Sequence, residues 1–523
     1  MTYMRRSVFY QVAGLLTVVI LVIGFLYASA SDDIQRHHQH TIRPSEAELG
    51  ECLLDCEDTL CTHLPLIIID TFGQDIPGRP LAFGTGIYTN YDTLFTFHTT
   101  PEGEREIEVS ISVIDNLGSW SHMSDTPVHE SLAMMRIRGN SSRFFDKPNY
   151  LINLIDSDAE NNPLPLLGMN PHSEWALHGP FLDKTLIRNY MWMNIAAEVM
   201  GPGHFVPEVR FFELILDGEY QGLYVLMETV RVGHYRVNLN RHRADMPTTS
   251  FLTRFDSRSN NDGRRINIFM TYTYRLEGRN TIEVLYPGYS WQTDDVRDYI
   301  ARTISTTELI MYTPEIIWTP RIYERYIDVN SFVNFYIINE FIGNNDIWQG
   351  STFLHKDVRS GQIVAGPVWD FNNVMDNYFL TVPMDGFILA DRGWFSRLMM
   401  CSYFTDSIIR RYHDLRRHTL AEERLVNYMQ EVEDWLGSAI ERNFEVWGYS
   451  FDPSQVSKMA RRDTTHAERA EGITIRDQNP SSFKEAMDWK RGYMVERGRW
   501  LDEYIVTLRQ FSHKSRHALW SLQ

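Results

Sequence analysis

Two aspartates in residues 339–377 have the types and spacing that phosphoryl transfer requires. Asp346 follows an apolar helical run in a turn-like setting, and Asp370 follows a short hydrophobic segment that ends in Gly-Pro-Val-Trp. The residues between them are enough for a β-hairpin, whose two ends lie side by side. One carboxylate can then orient an acceptor hydroxyl while the other holds Mg²⁺. The pattern predicts a catalytic acid at Asp346 and a metal-binding acid at Asp370.

The loop formed by residues 138–142 has the composition of a phosphate-binding turn. It consists of Arg138, Gly139, Asn140, Ser141 and Ser142. Gly139 permits close approach of the backbone, and the serine hydroxyls and main-chain N–H groups of such a loop can cradle phosphates. Two other interpretations stay open: a hairpin turn with polar side chains, and a glycosylation sequon at Asn140.

Lys147 and Glu228 are further candidates at the ends of predicted strands. Lys147 stands just before one strand, from which a lysine can reach nucleotide phosphates as a point charge. The alternative is a surface lysine, because lysines are mostly exposed. Glu228 ends a strand that passes from the strand-rich part of the chain to the helical part, where a kinase-type hinge would contact adenine through main-chain groups. Any edge strand that ends in a polar turn has the same pattern.

The elements that must position these residues divide the chain into two parts. Short β-branched segments bounded by turn residues predict strands in the first part, and apolar residues at helical spacing predict helices in the second. The predicted strands cover residues 64–70, 106–114, 133–138, 150–155, 207–216 and 222–227. The predicted helices cover residues 181–200, 294–309, 329–342, 420–444 and 482–508. The pattern indicates an α+β fold with a strand-rich lobe over residues 64–230 and a helical lobe over residues 231–523.

Residues 1–30 predict a transmembrane helix. Arg5 and Arg6 precede residues 8–30, which are almost entirely apolar and long enough to cross a bilayer. Arginines on the N-terminal side favour a cytoplasmic N-terminus, with the bulk of the chain outside or in a lumen. Residues 28–30 resemble a signal-peptidase site, but the apolar run is longer than most signal h-regions. We therefore expect an uncleaved signal anchor and an extracytoplasmic protein.

The charge balance disfavours some classes of partner. The chain of 523 residues has 68 acidic and 50 basic residues, which gives a formal net charge of −18. Nonspecific binding to nucleic acid or to an anionic lipid surface needs a basic face. The composition therefore predicts that nucleic acid is not a partner.

Residues 31–63 are predicted to form a linker that contains a cluster of cysteines, Cys52, Cys56 and Cys61. Cys401 stands alone, and in an exported protein the four cysteines favour one or two disulfides. A metal site is the alternative interpretation. The spacing matches no zinc pattern, however, and the only histidine close to the cluster in the sequence is His63.

Taken in order, the candidate residues resemble a known family. The segments RIRGNSS, DKPNY, FLDKTLIRN, GEYQGLYVLMETV, NEFIGNND and GPVWDFN are similar, in order and spacing, to those of the CotH (spore coat protein H) kinase family. The late segment WKRGYMVERGRWLDEYI resembles the closing helices of that family. The resemblance covers residues 64–508, nearly all of the chain that follows the predicted anchor.

The resemblance implies a two-lobed, atypical protein-kinase-like fold. Such a protein binds ATP with Mg²⁺ or Mn²⁺ and phosphorylates Ser or Thr of exported proteins. The resemblance assigns phosphate binding to residues 138–142 and to Lys147, the lysine of the following strand, and it assigns the hinge to Glu228. Asp346 matches the catalytic aspartate, and Asp370 matches the metal-binding one.

Two positions depart from the family pattern. Ser351 stands where a kinase catalytic loop has an asparagine that binds metal, and Asn372 stands where many relatives have a second aspartate. We expect Ser351 to take the metal-ligand position and the enzyme to be active, because both essential acids are present. A catalytically weak pseudokinase that acts in surface adhesion or coat assembly is the first alternative. A hydrolase that uses Asp346 and Asp370 as acid and base is the second, and it leaves residues 138–142 without a role.

Overall fold

The computed structural model describes residues 36–52, 60–80, 97–139, 141–255, 265–267, 281–312, 319, 321–348, 350–377, 382–456 and 479–513. Residues 39–523 make one compact unit. The predicted transmembrane helix, residues 1–30, lies outside the described residues. Within the described ranges, no helix is both long and apolar enough to span a bilayer.

Strands dominate the first part of the described chain. Buried and more exposed residues alternate along Ile107–Ile114, as expected of a strand with one face in a core. The strands are β1 (Cys61–Thr62), β2 (Leu66–Asp70), β3 (Ile107–Ile114), β4 (Ser121–His122), β5 (His129–Arg138), β6 (Asn149–Ile155), β7 (Glu174–His178), β8 (Val209–Leu216), β9 (Glu219–Glu228), β10 (Phe251–Phe255), β11 (Arg265–Asn267), β12 (Thr281–Tyr286), β13 (Thr352–Lys356) and β14 (Val364–Ala365).

Seven of these strands close into a barrel in the order β2-β3-β5-β6-β7-β9-β8. Neighbouring strands are antiparallel except β2 and β8, which run parallel and close the ring. Apolar side chains from every barrel strand fill the interior, among them Val109, Met135, Trp175 and Leu226. The predicted strands of the first lobe are confirmed, and β7 is an additional one that the sequence pattern did not predict.

Helices build most of the second part. In chain order, the helices of the described residues are α1 (Gln39–Ile42), α2 (Glu46–Leu49), α3 (Arg188–Met200), α4 (Asp294–Tyr312), α5 (Val329–Phe341), α6 (Phe395–Leu398), α7 (Ser402–Arg416), α8 (Glu422–Leu436), α9 (Ser438–Trp447) and α10 (Phe483–Tyr504). Helices α4 to α10 belong to the second part. The predicted helix over residues 420–444 is two helices, α8 and α9. Gly437 separates them because its φ of +49° lies in the left-handed region that ends a helix.

The predicted helical lobe contains more strands than the hairpin expected between Asp346 and Asp370. A second sheet lies there, with the strand order β11-β12-β10-β13-β14. Its strands are short and far apart in the sequence, so none of them carries a long alternating pattern. Pairing between distant segments, such as Phe255 with Thr352, forms this sheet.

One apolar core joins the helices to the outer face of the barrel. Tyr190 of α3 packs on Phe211 of β8, with ring centroids 4.5 Å apart. On the same helix, Trp192 packs on Phe341 of α5, with centroids 6.0 Å apart. This core therefore holds α3 between the barrel and α5, and both ends of the candidate site depend on its position. The division into two kinase-like lobes stays a prediction.

Part of the predicted linker, residues 31–63, is folded instead. The Gln39 side chain accepts from the Phe211 N–H at 2.6 Å and donates to the Phe211 carbonyl at 3.0 Å. His40 Nδ1 lies 2.9 Å from the Tyr190 hydroxyl. These contacts attach the short helix α1 to the barrel and to α3. The polar sequence of this segment does not reveal them.

Candidate functional site

The hairpin of β13 and β14 directs Asp346 and Asp370 to the same end of the second sheet. Leu354 of β13 pairs with Ala365 of β14 in an antiparallel register. The chain that precedes β13 and the chain that follows β14 therefore meet at one end of the hairpin. This topology matches the hairpin expected from the sequence and supports a shared site for the two acids.

Asp370 lies in a loop that α3 and the end of α5 hold in place. Its φ of +61° is in the left-handed region, which residues other than glycine rarely adopt. The Phe371 N–H donates to Asn189 Oδ1 at 2.9 Å, and the Met375 N–H donates to the Ile342 carbonyl at 2.8 Å. Such conformations persist where surrounding contacts enforce them, and they concentrate at functional sites.

Asn372 links the Asp370 carboxylate to α3. Its Nδ2 donates to Asp370 Oδ1 at 2.8 Å, and its Oδ1 accepts from Asn189 Nδ2 at 2.7 Å. A carboxamide can donate and accept at once, whereas an ionised aspartate can only accept. The asparagine that departs from the family pattern is therefore part of the network that orients Asp370.

A tight loop after α5 orients Asp346. The Asp346 N–H donates to Asn344 Oδ1 at 3.2 Å, and Asn344 Nδ2 donates to Asn339 Oδ1 at 2.9 Å. The Gly350 N–H donates to the Asp346 carbonyl at 2.8 Å. A Cβ at Gly350 would lie only 3.1 Å from Asp346 Oδ2. A larger residue at that position would therefore press on the carboxylate.

Arg138 supplies positive charge beside Asp370. Its Cζ lies 5.2 Å from the centroid of the Trp369 ring, next to Asp370 in the chain. Burial lowers the pKa of the Arg138 guanidinium, and the charge of Asp370 opposes that shift. Arginine nevertheless remains protonated in proteins. Arg138 is therefore a fixed cation at the Asp370 end of the site.

Arg143 extends this basic region. Burial, together with the charges of Arg136 and Arg138, lowers the pKa of Arg143 to about 10. The Arg143 guanidinium donates to the Gly78 carbonyl at 2.9 Å and to the Gly139 carbonyl at 2.5 Å. Like charges held near one another favour a bound anion, because an anion relieves their repulsion. A polyphosphate meets that requirement and pairs well with guanidinium groups.

The predicted phosphate-binding loop makes a close turn at Gly139. The residue has a φ of +114°, and a Cβ there would lie 1.9 Å from Ser142 Oγ, so only glycine fits. A single 3₁₀ turn, Ser141–Phe144, follows. Asn140 lies outside the described residues, and only the backbone of Ser141 is described. Phosphate binding by this loop stays a prediction.

Lys147 is buried, so its interpretation as a surface lysine is wrong. Its Nζ donates to the Leu223 carbonyl and to Asn443 Oδ1, each at 2.6 Å, and lies 4.8 Å from the centroid of the Tyr224 ring. Burial lowers the pKa of this amine well below its usual value, and the charge of nearby Lys184 acts in the same direction. These contacts connect β9 with α9, which differs from the phosphate contact that the sequence led us to expect.

We expect Lys147→Met to affect folding more than phosphoryl transfer. The substitution leaves the buried Leu223 carbonyl without this donor, which costs about 1–3 kcal/mol in the free energy of unfolding. Chemical denaturation measures that loss, and the initial rate of transfer should stay within about tenfold of wild type if the lysine acts only through folding. Lys484→Met is the control, because Lys484 is exposed on α10 and pairs with Asp488 at 2.7 Å. A variant of full stability that has lost transfer would contradict this structural role.

Glu228 lies in the wall of the barrel, not on an edge strand, because β9 pairs with both β7 and β8. Its Oε2 accepts from the Glu208 N–H at 2.9 Å, and its Oε1 lies 3.9 Å from Arg236 Nε. The side chain is 1% exposed. These contacts fix the end of β9, and a hinge contact with adenine stays a prediction.

Ser351 lies in the loop that orients Asp346. Its φ is +48°, and it follows Gly350, whose Cα approaches the Asp346 carboxylate. Next to it, Thr352 Oγ1 accepts from the Trp348 N–H at 2.8 Å and closes the loop. The structure thus places Ser351 beside the catalytic candidate, and its role as a metal ligand stays a prediction.

The sequence analysis missed the residues that orient the two acids, chiefly Asn189 and Asn344. Both are buried polar residues. Asn189 lies in the quoted segment FLDKTLIRN, at the start of a helix that is buried almost all round. An asparagine in such a helix needs hydrogen-bond partners. This requirement could have identified Asn189 as a candidate, but the sequence does not say which residues are its hydrogen-bond partners.

Asn372→Asp should make the stability of the protein depend on a divalent cation. The change replaces the amide that donates to Asp370 Oδ1 with a second carboxylate, and the two like charges repel each other. We expect a lower thermal unfolding temperature without metal and recovery in saturating Mg²⁺, measured by calorimetry. Asn153→Asp adds the same charge on β6, where Asn153 bonds to Asn161, and should show no recovery. Equal responses of the two variants would contradict the proximity of Asn372 and Asp370.

A comparison with protein families gives a match over most of the chain. The sequence model described as CotH kinase protein matches residues 135–501 of the chain. That range includes Arg138, Asp346 and Asp370, together with the helices that position them. A comparison with curated proteins gives no match.

Proposed function

The chain belongs to the CotH kinase family, and from this premise we propose that it transfers the γ-phosphate of ATP to Ser or Thr hydroxyls of exported proteins. Membership of the family implies a kinase-like protein that uses ATP, a divalent metal and a protein substrate. The observation that carries the finer proposal is the placement of Asp370 beside Arg138, at the hairpin end toward which Asp346 is also directed.

The donor set at Asp370 fits a hard divalent cation. Mg²⁺ and Mn²⁺ prefer oxygen ligands such as carboxylates and amides. Asp370 and Asn372 offer these two groups, and Ser351 offers a hydroxyl in the loop that orients Asp346. In the proposed mechanism Asp370 would hold the cation and Ser351 would supply a second ligand. When bound, the cation neutralises charge on the phosphates of ATP.

The other residues of the site bind the phosphates and move one proton. Arg138 and Arg143, with the loop of residues 138–142, bind and orient the phosphates. Asp346 orients the acceptor hydroxyl and receives its proton as the hydroxyl oxygen bonds to the γ-phosphorus. The bond from that phosphorus to the β–γ bridging oxygen breaks, and ADP leaves. Arg138 takes the charge-neutralising role that the sequence analysis gave to Lys147, because the described contacts of Lys147 lie with β9 and α9.

We also propose that residues 1–30 anchor the protein in a membrane with the rest of the chain exported. The apolar run and the preceding arginines support this orientation. Protease added to intact cells should digest the domain and spare a membrane-bound fragment. Digestion of the domain only after the cells have been lysed would overturn this location.

The test of the proposed activity is transfer of label from γ-labelled ATP to protein. The purified full chain, with Mg²⁺ or Mn²⁺, should label Ser or Thr of exported proteins, and phosphoamino acid analysis identifies the acceptor. Labelling of Tyr alone would overturn the proposed specificity. Absence of both transfer and a thermal shift with ATP and metal would overturn the kinase proposal and favour the two-carboxylate hydrolase.

A pseudokinase with a role in surface adhesion or coat assembly is the second candidate. The observation that favours it is the hydrogen bond from Asn372 to Asp370 Oδ1, which occupies one of the two oxygens offered to a metal. A protein of this kind would bind ATP and metal without transferring phosphate. The same labelling experiment, combined with the thermal shift, separates the two candidates.

A further inference from the structure

Two cysteines and a histidine meet where the chain enters the barrel. β1 pairs antiparallel with β4, and the register places Cys61 directly opposite His122. Cys52 Sγ lies 3.2 Å from His122 Nε2. The two sulfur atoms and a ring nitrogen of His122 all lie within 4.8 Å of one another. The three side chains therefore offer their ligand atoms to a common point.

Asp125 holds the histidine in the orientation that a metal ligand needs. Its Oδ2 lies 3.3 Å from His122 Nδ1 and accepts from the His122 N–H at 2.8 Å. Asn116 Nδ2 donates to the same oxygen at 2.6 Å. A carboxylate at Nδ1 favours the proton on that nitrogen and leaves Nε2 with its lone pair toward Cys52. Metal-binding histidines have this kind of carboxylate partner.

We propose that Cys52, Cys61 and His122 bind Zn²⁺ and that Asp125 positions the histidine. Thiolate and imidazole ligands together suit zinc. Bonds of about 2.3 Å to sulfur and about 2.0 Å to nitrogen hold the ligand atoms of such a tetrahedral site roughly 3.5–3.8 Å apart, and the three atoms here lie within 4.8 Å of one another. Among the described residues the proposed set consists of these three ligands, and Cys56 lies outside the described ranges.

The proposed metal has a structural role, separate from phosphoryl transfer. It ties the chain after α2 to β4 and closes the segment between Cys52 and Cys61 at the entrance to the barrel. His63, the histidine close to the cysteine cluster in the sequence, lies elsewhere, with Nδ1 3.3 Å from Glu46 Oε1. Strand pairing selects His122 instead, because it brings together residues that are far apart in the sequence.

Elemental analysis of the purified full chain tests the proposal. We expect about one zinc per chain, loss of zinc in Cys52→Ser and His122→Ala, and an affinity about 10–100-fold weaker in Asp125→Asn. Cys401→Ser is the control, because Cys401 is buried at the start of α7, outside the proposed set. Zinc content that His122→Ala leaves unchanged would overturn the proposal. A metal-free protein with a disulfide at Cys52 or Cys61 would overturn it as well.

A measurement on the unmodified protein covers the case in which a variant fails to fold. Zinc-bound thiolates react slowly with alkylating reagents, so N-ethylmaleimide should label Cys52 and Cys61 slowly and a zinc chelator should accelerate both reactions. Mass spectrometry of the peptides measures the labelling of Cys52 and of Cys61 separately. Labelling rates that do not change with the chelator would refute the site.

Discussion

Asp370→Asn lowers the rate of γ-phosphate transfer by about 10³-fold while the protein stays folded, if Asp370 has the role proposed for it. The amide removes the negative charge that holds the divalent cation. Asparagine tolerates the left-handed backbone of φ +61° and can still accept from Asn372. The loss is therefore electrostatic rather than structural. Initial rates with labelled ATP measure it, and the thermal shift caused by ATP with Mg²⁺ should also disappear.

Asp357→Asn is the matched control for this variant. Asp357 lies at the opposite end of the β13–β14 hairpin, where it accepts from the Asn240 N–H at 2.8 Å. The substitution removes the same charge from the same hairpin, and transfer should continue at the wild-type rate. Transfer that survives in Asp370→Asn would show that the metal site lies elsewhere. Equal losses in both variants would point to a general effect of charge or folding.

Asp346→Asn should separate chemistry from nucleotide binding. Without the carboxylate, the acceptor hydroxyl loses its proton acceptor and its orienting partner, and transfer falls by about 10²–10⁴-fold. Asp370 and Arg138 remain, so the thermal shift with ATP and Mg²⁺ should persist. Both aspartate variants should therefore lose transfer, but only Asp370→Asn should also lose the thermal shift with ATP and Mg²⁺. Wild-type transfer in Asp346→Asn would remove Asp346 from the mechanism.

Gly350→Ala extends this prediction to the position of the carboxylate. The new methyl group would lie 3.1 Å from Asp346 Oδ2 and push the acid aside without removing it. We expect an intermediate loss of transfer with the protein still folded, because the contact is with the end of a side chain. Gly288→Ala is the control, because its φ of −56° suits any residue and nothing lies within 4 Å of the added group.

The candidate acids were predictable because their signals are local. Asp346 and Asp370 each follow an apolar segment, and the residues between them have the length of a hairpin. The strands of the barrel and the long helices were predictable for the same reason, since burial of one face leaves a periodic pattern in the sequence. The strands β10, β11 and β12 of the second sheet were not, because they are short and β10 pairs with β13, which lies far away in the chain.

The surroundings of the candidate residues could not be read from the sequence. A lysine before a strand has the same local pattern whether it points to a nucleotide or, as Lys147 does, to Leu223 and Asn443. An asparagine that departs from a family pattern looks like a loss, yet Asn372 donates to Asp370. Side-chain partners are chosen by packing between distant segments, and no local pattern records that choice.

The sequence by itself determined the family, the α+β class and the two aspartates that are proposed to assist phosphoryl transfer. These follow from residue types and spacings that the chain carries locally. Only the tertiary structure decided that Asn189 and Asn372 orient Asp370 and that Arg138 lies beside it. The reason is physical, because a site is a set of distances between side chains, and folding sets those distances.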